Sequence, residues 1–363
     1  MRVALAQLRV SPDKDVNIMK ALSLIKRSMQ VNADLVVLPE VFNTGFFPHN
    51  YNLIGDLKEE LEFILKLSEQ KEIVIIGGVA ERDGENLKLN IWDMRASEIL
   101  GERWLLFNRC IFCSGTLELI EAFAETIGLN NYAKIKVPNI YRKENVKVYI
   151  VTGLTTRGEE LSDEMAERYV KAIRDFLEIV QVNSAIFTAS YRIQSRLFER
   201  GLSEEIEKLG YQMFVERRGV SGPESKDILE KFKEASKAGN GVLVAPIGGR
   251  FAEGADFPGE ELQAIFLVGI PFEKPTTRTR LYIDYYSSIY GNEKGRFYAY
   301  ILPALRRASQ ALGRAIRSLD DKAVLVLADN RYLGYLDILP DFIKDWHVKI
   351  HYTKIKTINT PWN

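Results

Sequence analysis

The chain has 363 residues, 46% of them hydrophobic and 27% charged, and its 49 basic residues balance 49 acidic ones. These values fit a soluble globular protein of about two domains and exclude a disordered, collagenous or coiled-coil chain. The longest apolar runs, such as residues 73–80, fall far short of the roughly 18 residues a bilayer helix needs, and the start lacks the pattern of a signal peptide, so a cytoplasmic chain without a membrane span is expected.

In chain order, short apolar runs alternate with amphipathic helices, as in an α/β fold with a largely parallel sheet. Strands are predicted at residues 2–8, 35–39, 73–79, 109–113, 146–151, 185–189, 241–246, 264–270 and 323–328. The first helix places Ile18, Leu22, Ile25 and Met29 on one face, with Asp15 available as its N-cap. Residues 162–180 behave alike, with Met165, Tyr169, Ile173, Phe176 and Val180 on one side. The polar stretch 82–90, which contains Gly84, separates two regions of different chemistry. It divides the chain into a segment 1–85, a junction 86–117 with a strand leading into Ser-Gly-Thr-Leu, a main domain 118–352 and a tail 353–363. Two cysteines, Cys110 and Cys113, cannot build a disulfide framework, and three scattered histidines make a closed metal site unexpected.

The first segment carries Val-Ala-Leu-Ala-Gln at 3–7, Ala-Asp-Leu-Val-Val-Leu-Pro-Glu at 33–40, Thr-Gly-Phe at 44–46 and Gly-Gly-Val-Ala-Glu-Arg at 77–82. This resembles the opening of a carbon–nitrogen hydrolase of the nitrilase and amidase family, over about a quarter of the chain. The resemblance implies that Glu40 corresponds to the general base that accepts the proton of a cysteine nucleophile. The family's lysine and cysteine have no counterpart in a matching context. Glu40 is therefore read as a vestigial or structural carboxylate.

Beyond residue 105 the motifs are Ser114-Gly115-Thr116-Leu117, then Phe-Thr-Ala-Ser-Tyr at 187–191, Gly-Gly-Arg-Phe-Ala-Glu-Gly-Ala-Asp-Phe-Pro-Gly at 248–259, Gln-Ala-Leu-Gly-Arg-Ala-Ile-Arg at 310–317 and Ala-Asp-Asn-Arg-Tyr at 328–332. On a helix, Gln310, Arg314 and Arg317 would share one face and Gly313 would allow close backbone approach. Two guanidiniums on one face can span a triphosphate. Between the last motifs, residues 274–317 hold nine basic residues against two acidic ones, a local charge of +7 interleaved with tyrosines, as single-strand tracks are.

This series resembles the second motor domain of superfamily 2 DNA helicases of the XPD and DinG type, over roughly residues 105–350, and implies a RecA-like parallel sheet with helices on both faces. By that resemblance Ser114 and Thr116 couple nucleotide state to nucleic-acid grip, and Ser190 and Tyr191 meet the nucleic-acid backbone. Glu253, Gly254 and Asp256 line the ATP cleft, while Gln310, Arg314 and Arg317 supply the arginine-finger motif. Arg278, Arg280 and Arg296 are assigned to the nucleic acid, taken as single-stranded DNA.

A motor also needs a phosphate loop, Gly-x-x-x-x-Gly-Lys-Ser/Thr, and an acidic metal-binding quartet, and this sequence contains neither. ATP with Mg2+ is therefore expected only if a separate chain supplies a first motor domain, and no iron–sulfur cluster is expected. The competing readings are an amidase using Glu40, a non-catalytic DNA-binding accessory module, and a gene-fusion product.

Overall fold

The structure, a computed structural model, describes residues 3–5, 14–32, 35–37, 74–76, 79–83, 86–90 and 94–362 apart from 118, 138, 140 and 159. The chain divides into two compact units, Met1–Arg95 and Ala96–Asn363.

In the first unit β1 (Val3–Leu5), β2 (Leu35–Val37) and β3 (Val74–Ile76) form a parallel sheet in that order, and α1 spans Lys14–Gln30. Asn17, Ala21, Ile25 and Ser28 are the buried stripe of α1. Ile18, Leu22 and Met29 are only half-buried. The expected stripe is thus rotated by one residue, and Asp15 lies inside the helix rather than capping it. β4 (Val79–Asp83) and β5 (Asn86–Asn90) pair antiparallel, Val79 opposite Asn90 and Asp83 opposite Asn86. Of the polar stretch 82–90, residues 82–83 and 86–90 therefore lie in paired strands, and their alternation is that of a ladder. The division falls about ten residues later, at Arg95.

In the second unit α2 (Ala96–Trp104) and α3 (Ile120–Thr126) precede a seven-stranded, all-parallel sheet. Its strands are β6 (Val146–Thr152), β7 (Ser184–Thr188), β8 (Gln212–Val215), β9 (Gly241–Pro246), β10 (Ala264–Val268), β11 (Ala323–Ala328) and β12 (His347–His351), in the order β12-β6-β11-β10-β7-β9-β8. The intervening helices are α4 (Asp163–Val180), α5 (Tyr191–Glu199), α6 (Leu202–Lys208), α7 (Gly222–Ala235), α8 (Arg250–Gly254), α9 (Thr277–Tyr290), α10 (Asn292–Arg296), α11 (Leu302–Leu312) and α12 (Asp341–Trp346).

The inner strands β9, β10 and β11 are apolar at every position because both faces are covered. Ile265 and Leu267 point to the face built from α7, α8, α11 and α12, and Ala264, Phe266 and Val268 to the face built from α4, α5 and α6. This is the RecA-like architecture the motifs implied. β8 and β12 are edge strands: β8 has only Met213, Phe214 and Val215 as a short, half-buried apolar run, and β12 alternates polar His347, Lys349 and His351 with Val348 and Ile350.

Residues 109–114 form no strand. Ile111 is 92% exposed, Cys110 and Cys113 are exposed, and Ser114–Gly115–Thr116 lies at a turn. The expected junction strand is corrected by this finding. An apolar run becomes a strand when a neighbour satisfies its backbone, and no described strand pairs with it.

Candidate functional site

Parallel α/β sheets bind ligands at the carboxyl ends of their strands, where loops converge. Here those ends carry the motif residues. Ser190, following β7, caps α5 by accepting from the Ile193 amide at 3.3 Å. Tyr191 donates its hydroxyl to Glu216 at 3.1 Å, just beyond β8.

Glu216 is 4% exposed, and its carboxylate also accepts from the amides of Arg250 (2.9 Å) and Phe251 (3.3 Å), the first residues of α8. A carboxylate there satisfies amides that have no partner within the helix. Gly249 is required by this contact, since a Cβ on it would lie 2.4 Å from a Glu216 oxygen. The other end of α8 is held by Arg314, which donates Nε to the Ala252 carbonyl (2.8 Å) and Nη1 to that of Ala255 (2.7 Å). The five-residue helix containing Glu253 and Gly254 is thus fixed at both ends.

Arg317 pairs with Asp256 at 2.9 Å, and both side chains are well exposed, at 41% and 71%. Gln310 donates to Thr116 at 3.4 Å, and the Ser114 and Thr116 hydroxyls are 3.3 Å apart. Residues 114–116, 252–256 and 310–317, remote in sequence, therefore meet in one place.

Two details differ from expectation. α11 ends at Leu312 and is followed by a 3₁₀ turn over Gly313–Ala315, so Arg317 lies beyond the helix and shares no helical face with Gln310. A Cβ on Gly313 would meet nothing within 4 Å, so this glycine accommodates no close backbone. Its backbone is right-handed (φ −63°), so nothing in the structure requires a glycine at this helix end.

Arg278 and Arg280 are exposed on the first turns of α9, and Arg296 is exposed at the end of α10. The tyrosines between them are not an open stacking track. Tyr282, Tyr286, Tyr290 and Tyr298 pack ring to ring at 4.6 to 5.6 Å, over Ala122 of α3. Tyr300 stacks on Phe272 at 5.1 Å. Burial raises the hydroxyls of Tyr286, Tyr290 and Tyr298 above the ordinary tyrosine value. The +7 charge is likewise partly compensated from outside its segment, Lys294 pairing with Glu125 at 2.7 Å and Arg307 with Glu273 at 3.2 Å.

The sequence reading assigned no role to Glu216 or to Asp329. Asp329 is fully buried and accepts from the Thr156 amide (2.9 Å) and from Arg331 Nε (2.9 Å) and Nη2 (2.7 Å), joining the ends of β6 and β11. The spacing Asp-x-Arg directly after an apolar strand was the available signal. Glu216 left none, because its strand is a short edge. Glu40 lies outside the described residues.

Among the described residues no group of three or more His, Cys, Asp or Glu side chains is placed to hold a metal ion. The residues gathered around α8 present guanidinium, amide and hydroxyl donors, which fit the phosphate side of a nucleotide and not the seat of its Mg2+. No helix among the described residues is long and apolar enough to cross a membrane.

Residues 173–346 match the family described as helicase C-terminal domain, and residues 2–103 match carbon-nitrogen hydrolase. The chain is 27% identical over 237 residues to a probable ATP-dependent helicase of Methanocaldococcus jannaschii, covering 62% of this chain and 35% of that protein. It is 24% identical over 253 residues to the XPD/RAD3 helicase subunit of general transcription and DNA repair factor IIH of Saccharomyces cerevisiae, covering 65% of this chain and 32% of that one. The chain spans about a third of the length of the curated relatives it matches. Two XPD structures share its fold, with TM-scores of 0.58 and 0.56 at 21% and 20% identity. The first alignment covers 94% of this chain and 65% of that one, the second 94% and 73%. The C-terminal region is similar to helicase C-terminal domains, and the N-terminal segment is similar to carbon–nitrogen hydrolases.

Proposed function

We propose that this chain is the second motor half of an XPD-like, ATP-dependent DNA helicase whose ATP chemistry needs a first motor domain from another polypeptide. The observation that carries the reading is the meeting of Thr116, Gln310, Arg314, the 252–256 segment and Arg317 through hydrogen bonds and an ion pair. In such a motor a guanidinium neutralises charge on the transferring phosphoryl group, an effect on the order of a thousandfold or more.

The two arginines divide the work. Arg314 spends donors on carbonyls and positions the α8 turn. Arg317, exposed and held by a single exposed carboxylate, can exchange Asp256 for a phosphate at small cost. ATP and Mg2+ enter only with the partner, which supplies the phosphate loop and the metal-binding acids. Single-stranded DNA crosses the strand ends near Ser190 and Tyr191, with Arg278, Arg280 and Arg296 as further phosphate contacts.

The test is ATP hydrolysis by the purified chain with and without single-stranded DNA, using Arg317→Ala as the control for contaminating activity. No DNA-stimulated turnover is expected from the chain alone. Turnover that appears with DNA and is lost in the variant would show a self-sufficient motor and overturn the partner requirement.

A further inference from the structure

We propose that the cleft beside the carboxyl ends of β7 and β8 is a seat for the phosphodiester backbone of a single nucleic-acid strand, an inference that rests on the nucleic-acid reading above and assigns it residues outside the recognised motifs. The cleft has a volume of about 640 Å³, within the range of clefts that hold nucleotide-sized groups.

Four cations line it: Arg192 on the first turn of α5, Arg217 and Arg218 in the loop after β8, and Lys274 in the loop after β10. No carboxylate lines it, and none of the four forms an ion pair with a described acid. Glu216, next to Arg217 in the chain, is already satisfied by Tyr191 and two α8 amides. Four cations without acids form a standing positive potential, which an anion relieves. Guanidiniums favour phosphate in particular, because their paired N–H groups match two of its oxygens.

The seat is built rather than incidental. Arg218 lies over the Tyr191 ring at 5.1 Å, and that ring is fixed by the hydroxyl bond to Glu216. Gln194, buried beneath, donates to the Glu216 carbonyl at 2.8 Å and ties α5 to the same loop. The loop carrying Lys274 is pinned by Thr279, which donates to the Lys274 carbonyl at 2.7 Å, and by Thr276, whose amide bonds the same oxygen at 2.8 Å. Phe198, Met213 and Val215 give the cleft a half-buried apolar floor against which a sugar or base can rest. Beyond Lys274 the chain enters α9, whose first turns carry exposed Arg278 and Arg280, and positive charge that extends past the cleft suits a polymer better than an isolated anion.

The experiment is anisotropy binding of a fluorescein-labelled oligothymidine of about 20 nucleotides to the full chain across a salt series. Each phosphate contact contributes a slope of about 0.7 in log K against log salt. The Arg217→Ala/Arg218→Ala variant should lower the slope by about 1.4 and weaken low-salt binding about tenfold or more. Lys231→Ala/Lys354→Ala, which removes equal charge elsewhere, should change neither by comparable amounts. Wild-type binding with an unchanged slope in the arginine variant overturns the seat and leaves the nucleic-acid reading standing. Equal losses in both variants overturn it in favour of general attraction. Displacement of the oligonucleotide by equimolar ATP identifies a mononucleotide site and overturns the strand. A wild-type chain that binds no oligonucleotide at low salt overturns seat and reading together.

Discussion

Ile186 and Ile111 both sit in short apolar runs of the kind that form strands. Ile186 lies in β7 between Val244 and Phe266 of its neighbours and is fully buried, whereas Ile111 is 92% exposed and lies in no strand. The two regions differ in what surrounds them and not in composition. The sheet offers each inner strand two ladders and two covered faces; the segment 105–114 has no described strand to bond. Leu105, Leu106, Phe107 and Ile111 stay exposed with it. Apolar patterning therefore specifies a strand only together with its neighbours.

The largest effect that could break this comparison is in the core. Phe266 is fully buried and packs on Phe176 with ring centroids 5.3 Å apart. Phe266→Ala should cost about 3–5 kcal/mol in urea unfolding, through lost transfer energy and the cavity left behind. Ile111→Ala should change stability by less than about 0.5 kcal/mol. A cost above that for Ile111 would show that the exposed segment is packed in solution.

Alkaline pH probes the same sheet through its tyrosines. Burial pushes the Tyr211 hydroxyl up to about 12, and raises Tyr169 and Tyr332 well above the ordinary value. Their hydroxyls donate to the carbonyls of Leu177, Ala328 and Gly269. A pKa raised by folding favours the protonated native state. That contribution is complete below the unfolded value near 10 and lost as pH climbs towards the folded one. Stability should be flat to about pH 9 and fall between about pH 10 and 12, with Tyr211 contributing about 2 kcal/mol of the loss. Urea midpoints across pH, with Tyr211→Phe removing its share of the slope, check this.

The carboxyl edge is tested next. Glu216→Ala strands the amides of Arg250 and Phe251 and the Tyr191 hydroxyl, and should cost about 2 kcal/mol. Glu216→Gln keeps one acceptor and should lose about half of that. Because the same carboxylate fixes Tyr191, the alanine variant should also weaken single-strand binding, whereas a purely structural cap would leave the affinity of the folded fraction unchanged.

Much of this edge was legible beforehand. Strands buried on both faces, such as β9, β10 and β11, announce themselves as continuous apolar runs, and the helix over 163–180 is legible to within one residue. Edge strands β8 and β12 were not legible, since β8 offers only three consecutive apolar residues and β12 alternates in polarity. In the candidate site, Gln310, Arg314 and Arg317 were visible as a motif. Their division of labour was not, because helical spacing cannot reveal that α11 stops at Leu312 and that carbonyls from α8 await Arg314. The cations at 192, 217, 218 and 274 come from one helix turn and two loops, and only the fold brings them to one cleft.

The smallest effect separates those two arginines. Arg314 donates to two backbone carbonyls from a half-buried position, so Arg314→Ala should cost about 1–2 kcal/mol of unfolding free energy. The Arg317–Asp256 pair is exposed on both sides, and a double-mutant cycle with Arg317→Ala and Asp256→Ala should give a coupling of about 0.5 kcal/mol or less that vanishes in high salt. A weak pair is what a phosphate-seeking arginine requires, because the ion pair must open whenever the nucleotide arrives. If the coupling instead matched the cost of losing Arg314, both guanidiniums would be committed to the fold, and the charge that meets the phosphate would have to come from the partner.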